Sequence, residues 1–337
     1  MIGFGSMLKD YLEYHKISQT DFAQSLNISQ KHMNEILNEN ADMSLDLMLA
    51  ISLITDIDIN LIVFVETKKR IGNELLNKYK TKKEINKFLN QYYVNELQKK
   101  EWIKFKDIEN PIQKAMDLLN FLKVKNFDTL DKYQNEKILY KKGDNANKIK
   151  ILLWIRRCDE LIKNDKVGIY NKDNFKLLIE ELKQEQMKEF NENNIKKILN
   201  KYGIYFIVED ALEGTKIRGC MQVKINNPVI YLTKLYKDKA SFYFALYHEL
   251  GHVKSDYNEA KNKIIVEKEL EEKADTFALN TMIDPSILKD IVKSDEEELL
   301  KISECYNIPM CFIVSRLAYL NKINYSSAMY QKYREKI

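Results

Sequence analysis

The chain has few residues that interrupt regular structure: nine glycines and four prolines in 337. Long irregular linkers are therefore not expected, and helix should dominate. Cysteine is also sparse. Cys158, Cys220, Cys305 and Cys311 show no metal-ligand spacing and read as reduced core residues, which excludes a disulfide scaffold. No apolar run is long enough for a membrane span. The most apolar long window, residues 45–65, is interrupted by Asp46, Asp56 and Asp58. The first residues lack a basic stretch followed by an apolar core, so no signal peptide is expected and a cytoplasmic location is. A net charge of +4 points to no partner by itself, no repeat or low-complexity tract is evident, and the length suggests two or three domains.

Histidine is scarce too, with four in the chain, yet two of them fall in His248-Glu249-Leu250-Gly251-His252. On a helix, histidines four apart share a face, so both imidazoles can reach one metal, with the intervening glutamate placed to act as a base. A catalytic zinc usually takes a third protein ligand. Downstream, Leu270, Ala274, Phe277 and Ala278 recur at helical spacing. Glu271 and Asp275 lie four apart beside that stripe. This favours Glu271 as the third ligand and Asp275 as the acceptor for the free ring nitrogen of one histidine. Glu272 and Glu267 compete for the ligand role, and a solvated helix face is the ordinary role of most of these carboxylates. Upstream, residues 203–208, 217–223 and 229–232 read as short strands, with Asn226-Asn227-Pro228 as a turn signal. The last of these strands is expected to offer an edge on which an extended peptide pairs.

From GTKIRGCMQV through NPVIYLT and FYFALYHELGHV to LEEKADTFALNTMIDPS, the chain resembles the ImmA/IrrE family of metallo-endopeptidases. Members typically read E-x-x-A-(D or N)-x-F-A after the histidine helix, which residues 271–278 match. The resemblance covers roughly the last half of the chain. It implies Zn2+ held by His248, His252 and Glu271, with Glu249 as catalytic base. It also implies a protein substrate, since characterised members cleave a repressor. Many relatives carry a second glutamate just before the alanine, where this chain has Lys273; the ligand position itself is intact. In the mechanism so implied, zinc polarises the scissile carbonyl and activates water, and Glu249 moves the proton to the leaving amine. A further donor is needed for the oxyanion. Tyr231, Tyr247 and Tyr257 are close in sequence, although packing is the usual role of each.

The other end of the chain carries a second pattern. Ser18 caps a short amphipathic helix, Asn27-Ile28 makes a turn with Asn27 suited to the left-handed conformation, and Ser29 caps the next helix. This is a helix-turn-helix spacing. The run ISQTDFAQSLNISQKHMNEILN is similar to Xre-type repressors, closest to the HigA antitoxin subgroup. That similarity implies DNA contacts from Ser29, Gln30, Lys31 and Asn34 in the major groove. Charge argues the other way. Residues 1–66 hold three lysines and no arginine against ten carboxylates, a net of −7. This is a poor footprint for phosphate. Residues 67–106 hold twelve basic residues against four glutamates, a net of +8. That arm either supplies phosphate contacts or neutralises its neighbour.

Asn110-Pro111 marks a helix start, residues 149–162 form an apolar helix around Trp154, and residues 302–320 read as two helices broken at Asn307-Ile308-Pro309. The expected architecture is a helix-rich α+β protein in three parts. These are a helix-turn-helix domain over 1–66, a helical connecting region over 67–165, and a zinc peptidase with a small sheet and a helical tail over 166–337. The expected function is a regulatory zinc endopeptidase acting on a repressor or similar partner protein, coupled to double-stranded DNA binding. The alternative is a non-enzymatic, antitoxin-type transcriptional regulator that uses the peptidase fold for binding or sensing. No membrane partner is expected, and the oligomeric state is not readable from the sequence.

Overall fold

The structure, a computed structural model, describes residues 3–130, 145–235, 237–258, 260 and 268–337. The protein is helix-rich, with one small mixed sheet, and is of the α+β class. It divides into two compact units, Met1–Leu130 and Asp131–Ile337. Among the described residues no helix is long and apolar enough to cross a membrane.

The first unit is all helical. Its first five helices are α1 Phe4–Tyr14, α2 Gln19–Ser25, α3 Gln30–Leu37, α4 Leu45–Thr55 and α5 Ile59–Tyr79. The cap residues act as their chemistry suggests. Ser18 Oγ accepts from Asp21 N at 3.0 Å and Ser29 Oγ from His32 N at 3.1 Å, satisfying amides that the helix leaves open. Asn27 takes φ 52°, the left-handed conformation, which turns the chain between α2 and α3. Phe4, Leu8, Met33, Ile36 and Ile51 close the core. A Cβ on Gly5 would stand 2.0 Å from the Ile36 carbonyl oxygen, so only glycine lets α1 lie this close to α3.

Helix α5 runs through residue 66 without a break, and its Lys69 turns inward. Phe4 N donates to Glu66 Oε1 at 2.8 Å. Lys69 Nζ lies 2.8 Å from Glu39 Oε2 and 3.9 Å from Glu66 Oε2, and it donates to the Ala41 carbonyl at 3.2 Å. Arg70 donates to the Met43 carbonyl at 2.6 Å and faces Asp42 at 3.6 Å. Two members of the basic arm thus neutralise the acidic module, Lys69 from within and Arg70 at the surface. Further on, Asn110 Oδ1 accepts from Ile112 N and Gln113 N to start the helix Pro111–Leu122.

In the second unit the strands are β1 Tyr205–Val208, β2 Gly219–Lys224 and β3 Asn227–Leu232, in the order β1-β3-β2. β3 pairs parallel to β1 and antiparallel to β2. The expectation that the last strand is an edge is therefore corrected: β3 is central and β2 is an edge. The reason is visible in its residues. Pro228 to Leu232 are all buried, as in a strand covered on both faces, whereas β2 alternates more. The turn also falls earlier than expected, at Ile225-Asn226, with Ile225 at φ 57° and Asn227 already in β3.

The helix Lys239–Ser255, here the histidine helix, is apolar nearly all round and lies between the sheet and other helices. The helix Lys268–Met282, the glutamate helix, packs along it. Trp154, on the helix Asn145–Leu161, is fully buried, meets the Tyr231 ring edge-on at 6.1 Å and donates Nε1 to the Glu209 carbonyl at 2.6 Å. The apolar helix of the middle region thus belongs to this core. The helices Glu296–Tyr306 and Met310–Tyr319, separated by left-handed Asn307, complete it through Phe312 and Leu317.

Lys69 has a side chain 3% exposed, between carboxylates of which Glu66 is 1% exposed. Removing one partner of a buried ion pair leaves uncompensated charge. Lys69→Ala is expected to destabilise the first unit by about 3–5 kcal/mol, read as a lower urea midpoint. A midpoint equal to that of the wild type would show that the pair is not internal.

Candidate metal centre

The histidine helix places His248 and His252 on one face, one turn apart. The glutamate helix brings Glu271 across to meet them, and small residues set this approach. A Cβ on Gly251 would lie 3.1 Å from Ala274 Cα and 3.2 Å from Phe277 Cδ1. The helices therefore touch at Gly251 and Ala274. Glu271, one turn before Ala274, is carried to the imidazoles.

The resulting distances are His248 Nε2 to His252 Nε2 3.2 Å, His248 Nε2 to Glu271 Oε2 3.4 Å and His252 Nε2 to Glu271 Oε1 3.4 Å. Tetrahedral zinc with bonds near 2.0–2.2 Å separates its ligand atoms by about 3.3 Å. Among the described residues these three form the group able to hold a metal ion. Glu272 is exposed and outside the cluster. Glu267, the other competitor, lies outside the described residues.

The far ring nitrogens face carboxylates. His248 Nδ1 lies 2.9 Å from Asp275 Oδ1, and His252 Nδ1 lies 2.7 Å from Asp256 Oδ2. A ring that donates Nδ1–H keeps its Nε2 lone pair for a cation. Asp256 was not singled out in the sequence. Its signal was there, four residues beyond His252 at the end of the same helix.

Four acceptor atoms this close, two imidazole nitrogens and both oxygens of Glu271, repel one another unless positive charge stands between them. Without a metal, protons supply it. Burial works against charge on His248, but the hydrogen bonds to Asp275 and Glu271 prevail and raise its pKa to about 10. His252 is also raised, against its burial, by Glu271, Glu249 and Asp256. Glu271 is lowered to about 2: its burial opposes this, but hydrogen bonds from both histidines outweigh it. Glu249 differs from these three. It is 5% exposed, and burial lifts its carboxyl to about 6 in spite of the nearby histidines. A Cβ on Gly219 would stand 2.7 Å from Glu249 Oε1, so this glycine leaves the carboxylate its place under the start of β2.

The cluster opens into a cleft of about 310 Å³ whose other wall is Lys216 to Met221. Lys216 and Arg218 bring positive charge to it, on residues that sequence reasoning passed over. The three tyrosines near the motif are engaged elsewhere. Tyr231 OH donates to Asp159 Oδ1 at 2.6 Å, Tyr247 OH to Gln186 Oε1 at 2.8 Å and Tyr257 OH to the Asn226 carbonyl at 2.7 Å.

In the first unit, Ser29, Gln30, Lys31 and Asn34 are all exposed at the start of α3. Lys31 Nζ is 4.0 Å from Glu35, and Asn34 Oδ1 accepts from Asn38 Nδ2 at 2.8 Å.

No protein-family model matches this chain, and no curated protein or solved structure does either. The class is therefore defined by the site: a helix-rich protein with a His-His-Glu group of metal-binding geometry.

Metal uptake must displace protons from any imidazole that is protonated, and both pKa values are raised. Zinc binding to the full chain is expected to release protons at neutral pH and to strengthen as pH rises. Calorimetry in buffers of different ionisation heats reads this directly, and binding without proton release would contradict it. Asp256→Asn and Asp275→Asn should each weaken zinc binding by about 10–100-fold.

Proposed function

We propose that this protein is a regulatory zinc endopeptidase of the ImmA/IrrE kind, which cleaves a transcription repressor or a similar partner protein. The observation that carries this reading is the 3.2–3.4 Å mutual spacing of His248, His252 and Glu271, with Glu249 buried next to His248. A site that only bound a partner would have no need of a buried carboxylate beside three metal ligands.

His248, His252 and Glu271 would hold the metal, and Asp275 and Asp256 would fix the two imidazoles in orientation and tautomer. When bound, zinc supplies Lewis acidity toward water and the scissile carbonyl. Glu249 accepts the proton of the attacking water and delivers it to the leaving amine. Its pKa of about 6 suits both transfers near neutral pH. β2 is the sheet edge beside the cleft, and an extended peptide can pair along it next to the cluster. Lys216 and Arg218 are the cationic side chains on that wall, suited to stabilise a developing oxyanion.

Glu249→Gln preserves shape and removes the base. Proteolysis of the partner is expected to fall by orders of magnitude while zinc content is retained. If this variant keeps the full cellular effect, the protein acts by binding and not by cleavage. In the wild type, activity should fall as pH drops through about 6 or below, because Glu249 must be ionised to act. The positive charge of the metal moves that limb downward, never upward.

The helix-turn-helix unit is proposed to bind DNA through Ser29, Gln30, Lys31 and Asn34. With Lys69 buried and Arg70 held to the Met43 carbonyl, phosphate contact falls to the half-buried Lys68 and the exposed Lys82 and Lys83. Gln30→Ala or Asn34→Ala should cost about 1–3 kcal/mol per lost base contact. Neutralising the three lysines should weaken all sequences alike. Equal, weak affinity for every DNA at low salt would assign this unit to protein contacts.

A further inference from the structure

Behind Phe244 lies a second cavity, of about 540 Å³, larger than the metal cleft. Phe244 and Arg218 line both. The rest of its wall comes from the two paired helices, the helix Met310–Tyr319 and the segment that follows it, all within the second unit. The wall is largely aromatic, with Phe312, Tyr319, Tyr325 and Tyr330 beside Phe244.

Its charge is one-sided. Its lining includes three guanidinium groups, Arg218, Arg316 and Arg334, and one carboxylate, Asp238. That carboxylate is already engaged. It caps the histidine helix by accepting from Ser241 N at 2.9 Å and Ser241 Oγ at 3.0 Å, and it faces Arg334 at 3.8 Å. Among the described residues no carboxylate pairs with Arg316. Its neighbour is the Tyr319 ring, 5.5 Å from the guanidinium carbon. Nε and Nη1 of Arg316, and Nε of Arg334, are buried without an acceptor. Burial lowers the Arg316 pKa, a sign of a cation partly stripped of water. A desolvated cation without a partner costs stability. Among the described residues no hydrogen bond to Nε or Nη1 offsets that cost.

We propose that this cavity is a binding site for a small amphiphilic carboxylate, with the acid on the Arg316 guanidinium and an aromatic or branched apolar body against the aromatic wall. A planar guanidinium matches a carboxylate by two parallel hydrogen bonds, and the volume lies within the range of small-molecule sites. The site is separate from the His-His-Glu group and stands whether or not that group is catalytic. A ligand here would rest against Phe244, whose ring centroid is 6.3 Å from that of His248. The same groups are presented by a free aromatic acid and by a C-terminal phenylalanine of a peptide.

Fluorine NMR of 4-fluorophenylacetate with the zinc-loaded full chain tests the site, with 4-fluorophenylacetamide as the uncharged control. The acid should bind at least tenfold more tightly than the amide, and Arg316→Met should bring the acid down to the level of the amide. The same variant should melt no lower than wild type, since it removes an unpaired cation and keeps the volume. Competition with the tripeptide Ala-Ala-Phe, as free acid, identifies the source: displacement at lower concentration than by phenylacetate marks a peptide terminus, and the reverse marks a free acid. Equal binding of acid and amide would overturn the proposal, as would binding of neither. Acid binding that survives Arg316→Met would place the anion at the metal instead and overturn it too.

Discussion

The contact between Gly251 and Ala274 is the constraint on which the metal centre depends. Two histidines one turn apart need nothing but a helix. The third side chain comes from another helix, and its distance from the imidazoles is set by how closely the two backbones approach. With glycine on one side and alanine on the other, that approach leaves Glu271 3.4 Å from each Nε2. A β-branched residue at 251 would push the helices apart, at a cost of roughly 1–3 kcal/mol for overpacking, and Glu271 would move with the displaced helix. The small residues at 251 and 274 are therefore part of the site although neither touches a metal.

A second constraint works at the level of charge. Carboxylates surround the cluster on several sides: Glu249 and Asp256 from the histidine helix, Glu271 and Asp275 from the glutamate helix. Alone, these groups would disfavour one another's ionisation. Around two imidazoles and a cation they become mutually supporting, each acid holding a ring or a proton in place. Glu249 is the exception because burial holds its carboxyl up near neutrality in spite of the two imidazoles. Acids held ionised by the imidazoles and an acid held near neutrality by burial thus coexist within a few residues, separated by their surroundings.

Much of this was legible in the sequence, and the parts that were not have physical reasons. The histidine spacing, the Ser18 and Ser29 caps and the Asn110-Pro111 helix start are local signals, and the structure has them where spacing and capping chemistry place them. Strand order is not local. β3 looked like an edge from its position in the chain, yet the unbroken apolar run from Pro228 to Leu232 was the sign of a strand covered on both faces. The inward turn of Lys69 was equally hidden, because a lysine in a basic run looks solvated until Glu39 and Glu66 are seen to surround it. Lys216 and Arg218 were passed over because nothing in a single sequence tells which residues before a strand will line a cleft.

X-ray absorption at the zinc edge of the zinc-loaded full chain tests the central claim most directly. The account predicts two imidazole nitrogens and oxygen donors at about 2.0–2.2 Å, with no sulfur, and loss of one oxygen donor in Glu271→Ala. Cys220 lines the same cleft. A sulfur shell at about 2.3 Å, or a spectrum unchanged by Glu271→Ala, would contradict the account.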